Sequence, residues 1–272
     1  MRTFKLTLAY DGTRYAGWQV QRNHATIQGT LERVLAQVLR EHVCIVGSGR
    51  TDAGVHALAQ VAHLSTRSPI PCERLHQALN HLLPPEIVVT RLEEAPAGFH
   101  ARFGARRKRY RYVIVNGPVV LPHERRYVHQ VRSPLNVSLM RREARVLVGR
   151  HDMRAFHQRS RPVRDAHRTI FAVRIRRHED HLTIDLEADG FLHTMVRGIV
   201  GTLIEIGRGH QRPGTMARIL ATRDRRLVGP TAPARGLWLV GVRYNAGGST
   251  QFRRVRDLRF HVGVTVGAPS SR

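Results

Sequence analysis

Asp52 stands in the run GSGRTDAGVHA (Gly47 to Ala57), where glycines surround one basic and one acidic side chain. Gly47, Gly49 and Gly54 give the backbone conformations closed to other residues, so the loop can be tight and specifically shaped. It carries Arg50 and Asp52 two residues apart. A carboxylate held in this way can serve as a nucleophile or a base. It can equally cap its own turn by accepting backbone N–H bonds, as an Asx-turn does. Gly47-Ser48-Gly49 is no phosphate loop, because the Lys-Ser/Thr ending is missing.

Three further segments carry usable chemistry. RRKRYRY (Arg106 to Tyr112) alternates basic and aromatic residues at strand spacing. Arg109 and Arg111 could meet phosphates while Tyr110 stacks on a base, or the run could be an amphipathic strand with solvated arginines. In GFLHTMVRGIVGTL (Gly190 to Leu203), His193, Arg197 and Gly201 fall on an i, i+4 line apart from the apolar stripe, and Gly201 lets something approach closely. YDGTRYAGWQVQ (Tyr10 to Gln21) offers aromatic, amide and basic groups, among them Arg14 and Gln19. The seventeen histidines form no HExxH or other metal signature, and Pro71-Cys72-Glu73 does not complete a zinc-deaminase pattern. Nor do the acids cluster as a two-metal nuclease would need. No metal is expected.

Charge points to the partner. The chain has 45 Lys+Arg against 20 Asp+Glu, a formal net charge of +25, and its only lysines are Lys5 and Lys108. A surface so basic attracts phosphate polymers by releasing their counterions, and arginine adds a planar fork for phosphates and base edges. Within 272 residues, 42 % apolar content is enough for a real core. No stretch reaches the roughly 18–20 apolar residues of a membrane span, and the N-terminus lacks the apolar region of a signal peptide. Cys44 and Cys72 lack nearby partners, which suits the cytoplasm.

The elements that must hold these residues come in two similar sets. Phe4, Leu6, Leu8 and Tyr10 alternate as in a strand, and Ile27, Leu31, Val34, Leu35, Val38 and Leu39 form one helical stripe. Short strands near 43–46 and 58–64 flank the Asp52 loop; a helix opens at Pro71 and stops before Pro84-Pro85, and a strand begins at Ile87. The second set comprises a strand at 109–115, a helix after Pro134, strands at 170–176 and 182–188, and a long helix from Phe191. A shorter helix near 215–221 and a strand at 237–244 close it, with a polar insertion between Arg150 and Arg168. The expected class is α+β: two ferredoxin-like, RRM-like βαββαβ halves with mainly antiparallel sheets side by side and a central cleft. Residues 1–105 form the half with the Asp52 loop, 106–244 the second half, and 245–272 a basic, mobile tail.

These segments, in this order, resemble the TruA family of transfer-RNA pseudouridine synthases. YDGTRYAGWQVQ, TIQGTLERVL, GRTDAGVHA, NHLLPPEI, FHARFGARRKRYRYVI, LVGRHDMRAF, GFLHTMVRGIVGTL and GLWLVGVRY carry the resemblance over most of residues 3–244. It implies an isomerase that turns uridine into pseudouridine at positions 38, 39 and 40 of the tRNA anticodon stem-loop, without cofactor or metal. It further implies Asp52 as catalytic group, Tyr110 as the ring that stacks on the target base, Arg197 as the partner of Asp52, and Arg50 as a guide for the flipped nucleotide. Arg14, Gln19, Arg109 and Arg111 are the remaining expected RNA contacts. Family members act as homodimers, so a homodimer is expected here. Met153 and Thr194 depart from the family's pattern without touching this chemistry, and the longer, more basic tail is given no role. From the residues alone, a non-catalytic RNA-binding module or RNA chaperone of the same fold stands as the alternative.

Overall fold

The computed structural model describes residues 1–158 and 163–244. The expected basic tail at 245–272 lies outside the described residues. The first elements are strand β1 (Arg2–Tyr10), helix α1 (Ile27–Leu39), strand β2 (Val46–Gly47), strand β3 (His56–Thr66), helix α2 (Cys72–Leu82) and strand β4 (Ile87–Glu94). Thr26 starts α1 by accepting the Gly29 N–H, satisfying one of the orphan donors at a helix start. After them come β5 (Arg107–Val115), β6 (His129–Gln130), α3 (Val137–Arg145), β7 (Gly149–Asp152), β8 (His167–His178) and β9 (His181–Ala188). Helices α4 (Met195–Gly207) and α5 (Thr215–Thr222) and strand β10 (Leu237–Arg243) complete the order. The fold is α+β, as the residue periodicities imply.

The strands form one continuous sheet in the order β4-β1-β3-β10-β5-β9-β8-β7, with β2 on β3 and β6 on β5. The two sets of elements meet where β10 runs parallel to β3, pairing Trp238 with His56 and Leu239 with Ala57. Apart from the short parallel pairing of β6 with β5, the other strand pairings are antiparallel. β10, the last element among the described residues, therefore lies in the middle of the sheet, between β3 and β5. Its near-continuous apolar run, Leu237 to Val242, follows from burial on both faces. Leu237 and Leu239 join the main core, while Trp238 and Val240 pack with Val113, Val115, Val120 and Val128 on the other face.

Two expectations need adjusting. The segment after Arg150 is not only a polar insertion: residues 149–152 add the edge strand β7, and Arg154–Phe156 form a 3-10 turn. The long helix begins at Met195 rather than Phe191, because Thr194 takes a left-handed conformation with φ 60°. Such a φ is strained for a β-branched residue. It turns residues 190–194 out of the helix and along the cleft.

Candidate active site

The Asp52 loop is fastened from three sides before its side chain does anything. From below, Gln60 of β3, fully buried, accepts the Ser48 hydroxyl (2.7 Å) and donates to the Gly49 carbonyl (2.9 Å). From β5, Lys108 Nζ donates to the Ser48 carbonyl at 2.6 Å. From the segment after β1, the Trp18 N–H donates to the Thr51 carbonyl (3.0 Å), and from the end of β1 itself the Tyr10 hydroxyl bonds that of Thr51 at 2.9 Å. A Cβ on Gly17 would stand 2.6 Å from the Thr51 carbonyl oxygen, so the close approach of the two loops needs glycine there. Of the three loop glycines, only Gly54 has a positive φ (74°). Gly47 instead makes room for the Trp18 ring, 2.6 Å from where its Cβ would be.

With its backbone held elsewhere, the Asp52 carboxylate reaches across the cleft. Arg197 Nη1 donates to Oδ2 at 3.2 Å, and His193 Nε2 lies 3.6 Å from Oδ1. Among the described residues these are the side-chain partners of Asp52, so it is not an Asx-turn cap. Arg197 is itself aimed: its Nε donates to the Ala232 carbonyl at 2.7 Å. The segment carrying Ala232 crosses α4 at Gly201, where a Cβ would overlap the Pro230 carbonyl oxygen. The residue on the i, i+4 line that permits close approach thus sets the direction of Arg197.

Asp52, Arg197 and Tyr110 line one cleft of about 830 Å³, together with Arg50, Gln19 and the 190–194 turn. Tyr110 is nearly buried, and its ring meets Phe191 edge to face at 5.1 Å. Burial, with the nearby Tyr10 and Asp52, pushes the Tyr110 phenol far above its ordinary range, so it keeps its proton at neutral pH. Burial, with Arg102 and Arg168 nearby, lowers the Lys108 amine to about 8. Among the described residues, no group of three or more His, Cys, Asp or Glu side chains gathers as a metal site would require.

The remaining expected RNA contacts lie elsewhere. Arg109 and Arg111 alternate with Tyr110 along β5 and point to the opposite face of the sheet. There Arg109 pairs with Glu187 (2.7 Å) and Arg111 with Asp185 (2.8 Å) of β9. Arg14 is largely exposed, bonds Glu86 at 3.3 Å and does not line the cleft. Sequence reasoning missed Gln60 and Lys108, and assigned His193 no contact. For His193 its place four residues before Arg197 was a usable signal; Gln60 and Lys108 gave none.

Comparison with known proteins identifies the family. Residues 7–104 and 144–245 match the family model described as tRNA pseudouridine synthase. Proteins named tRNA pseudouridine synthase A are similar along 90 % of this chain and the whole of their own length. They include those of Moorella thermoacetica (46 % identical over 246 residues), Brevibacillus brevis (44 % over 244) and Acetivibrio thermocellus (43 % over 244). With matches at that level across both sets of elements, the chain belongs to the tRNA pseudouridine synthase family.

Proposed function

We propose that this chain isomerises uridine to pseudouridine at positions 38, 39 and 40 of the tRNA anticodon stem-loop, with Asp52 opening the chemistry. The observation that carries the reading is the Asp52 carboxylate, bracketed by Arg197 and His193 beside a nearly buried tyrosine in a chain of this family. The reaction must break the N1–C1′ glycosidic bond, turn the uracil and rejoin it through C5. An ionised carboxylate promotes this by attacking ribose C1′ or by taking the 2′-proton to give a glycal; addition at uracil C6 is a third route. Arg197 donates to the Asp52 carboxylate and orients it. Tyr110 stacks on the flipped base, and its firmly held proton argues for that role over one as phenolate base. Flipping costs a few kcal/mol, which the basic cleft offsets through phosphate contacts, with Arg50 guiding the nucleotide.

In this reading residues 1–105 and 106–244 are two related halves, each giving one side of the site. A homodimer fits a substrate longer than one 272-residue chain spans, and a cytoplasmic place fits two free cysteines. The test uses tRNA carrying tritium at uridine C5. Release of tritium from wild-type stem-loops, lost when positions 38 to 40 are changed to cytidine, is the expected result. Binding of tRNA without release would leave a non-catalytic RNA-binding module.

A further inference from the structure

Phe103 is 74 % exposed, and it lines the same cleft as Asp52. Single exposed apolar side chains are ordinary on protein surfaces, but this ring is presented rather than left over. His100 Nδ1 accepts the N–H groups of both Arg102 (3.2 Å) and Phe103 (3.1 Å), and the Gly104 N–H donates to the His100 carbonyl (2.9 Å). A Cβ on Gly104 would lie 2.9 Å from that carbonyl oxygen, so the turn closes only with glycine. Buried Ala101 fixes the turn to the body: its N–H donates to His63 Nδ1 (3.2 Å), and its carbonyl accepts the Tyr244 hydroxyl (2.7 Å). The Phe103 ring leans on the His100 imidazole, 4.4 Å between centroids at 30°, and the Arg102 guanidinium lies 5.6 Å from it. Arg50 and Arg168 line the same cleft.

A rigid, open aromatic ring beside arginines in a cleft is the combination that binds single-stranded nucleic acid: rings take base faces and guanidinium groups take phosphates. We infer that Phe103 is a stacking platform for an unpaired nucleobase of the substrate RNA, neighbouring the uridine that enters the Asp52 site. The inference rests on the synthase reading above. Stacking tolerates any base, because every base has a π-face. Such a platform therefore grips the displaced strand without demanding a particular neighbour, which suits an enzyme that accepts adjacent uridines.

The test compares the full chain with Phe103→Leu, which keeps an apolar side chain but no ring, and with Phe103→Trp. Affinity for unmodified tRNA transcript is measured at one fixed salt concentration, alongside tritium release and sedimentation. Phe103→Leu is expected to weaken binding by about 10-fold, with the loss carried by Kd and KM, and Phe103→Trp is expected to bind as wild type does. If an active wild type and Phe103→Leu bind tRNA equally well, the platform is overturned while the synthase reading stands. A shift in oligomeric state with Phe103→Leu would make the ring a subunit contact and also overturn the platform. If wild type releases no tritium yet shows the Phe103 pattern, the synthase reading fails and takes with it the platform's place beside a reacting uridine, while stacking of RNA on Phe103 stands.

Discussion

Replacing Gly201 with alanine sets two physical effects against each other. In a helix interior, glycine to alanine favours the helix by about 1 kcal/mol. At Gly201 the new methyl would overlap the Pro230 carbonyl oxygen and lie 2.9 Å from the Pro230 carbonyl carbon and 3.3 Å from the Ala232 nitrogen. These are backbone atoms, so the segment has to retreat by more than about 1 Å to reach ordinary contact. Overpacking of this kind costs about 1–3 kcal/mol, which outweighs the helical gain. The retreat also carries off the Ala232 carbonyl, which holds Arg197 Nε at 2.7 Å while Nη1 holds Asp52 at 3.2 Å. A shift near 1 Å at a reacting group costs roughly 100-fold in rate.

Gly198 supplies the control on the same helix. A Cβ there would meet Phe156 Cδ1 at 3.5 Å and Val228 Cγ1 at 3.6 Å, both ordinary contacts. Gly198→Ala is therefore expected to gain about 1 kcal/mol of stability. Gly201→Ala is expected to lose stability and about 100-fold in kcat. Urea unfolding and single-turnover tritium release measure the two effects. A Gly201→Ala protein as stable and as fast as wild type would refute the link from Pro230 through Ala232 and Arg197 to Asp52.

Arg197→Lys is expected to lower kcat at least about 10-fold in the same release assay. One ammonium cannot reproduce the two separate contacts to the Ala232 carbonyl and Asp52 made by a planar guanidinium. His129, half-buried on β6 with Arg235 and Arg208 nearby, has its pKa lowered to about 4, chiefly by burial. An unfolded histidine titrates near 6.5. Between those values the unfolded chain holds the proton and the folded chain does not, so His129 costs stability progressively as pH falls from about 6.5 to 4. Allowing for solvent screening, it should account for about 1–2 kcal/mol of the loss between pH 7 and pH 5. Urea titrations at both pH values should show a smaller loss for His129→Gln.

Local patterns were legible where neighbours in sequence are neighbours in space. The stripe from Ile27 to Leu39 became α1 over those residues, and the alternation around Tyr110 became β5. Gly201 announced a close approach, but only the structure shows that the approaching group is the Pro230 backbone. What stayed hidden depends on pairing between distant segments. Arg109 and Arg111 read as RNA contacts because their counterions, Glu187 and Asp185, lie 78 and 74 residues away on a strand in register with them. The alternating acids of β9 were in plain view, yet nothing local matched them to β5. Gln60 and Lys108 escaped notice for a similar reason: each donates to a backbone carbonyl of the Asp52 loop, and a carbonyl has no sequence signature. The start of α4 was misjudged because Thr194 breaks the helical run by taking a left-handed φ that its residue type disfavours.

The central claim is that the Asp52 carboxylate performs the isomerisation. Asp52→Asn keeps the shape of the side chain and removes the charge that faces Arg197 and His193. Assayed with tritiated tRNA under single-turnover conditions, the variant should make no detectable pseudouridine while binding tRNA within a few-fold of wild type. Pseudouridine formed by Asp52→Asn at a near-normal rate would contradict the account.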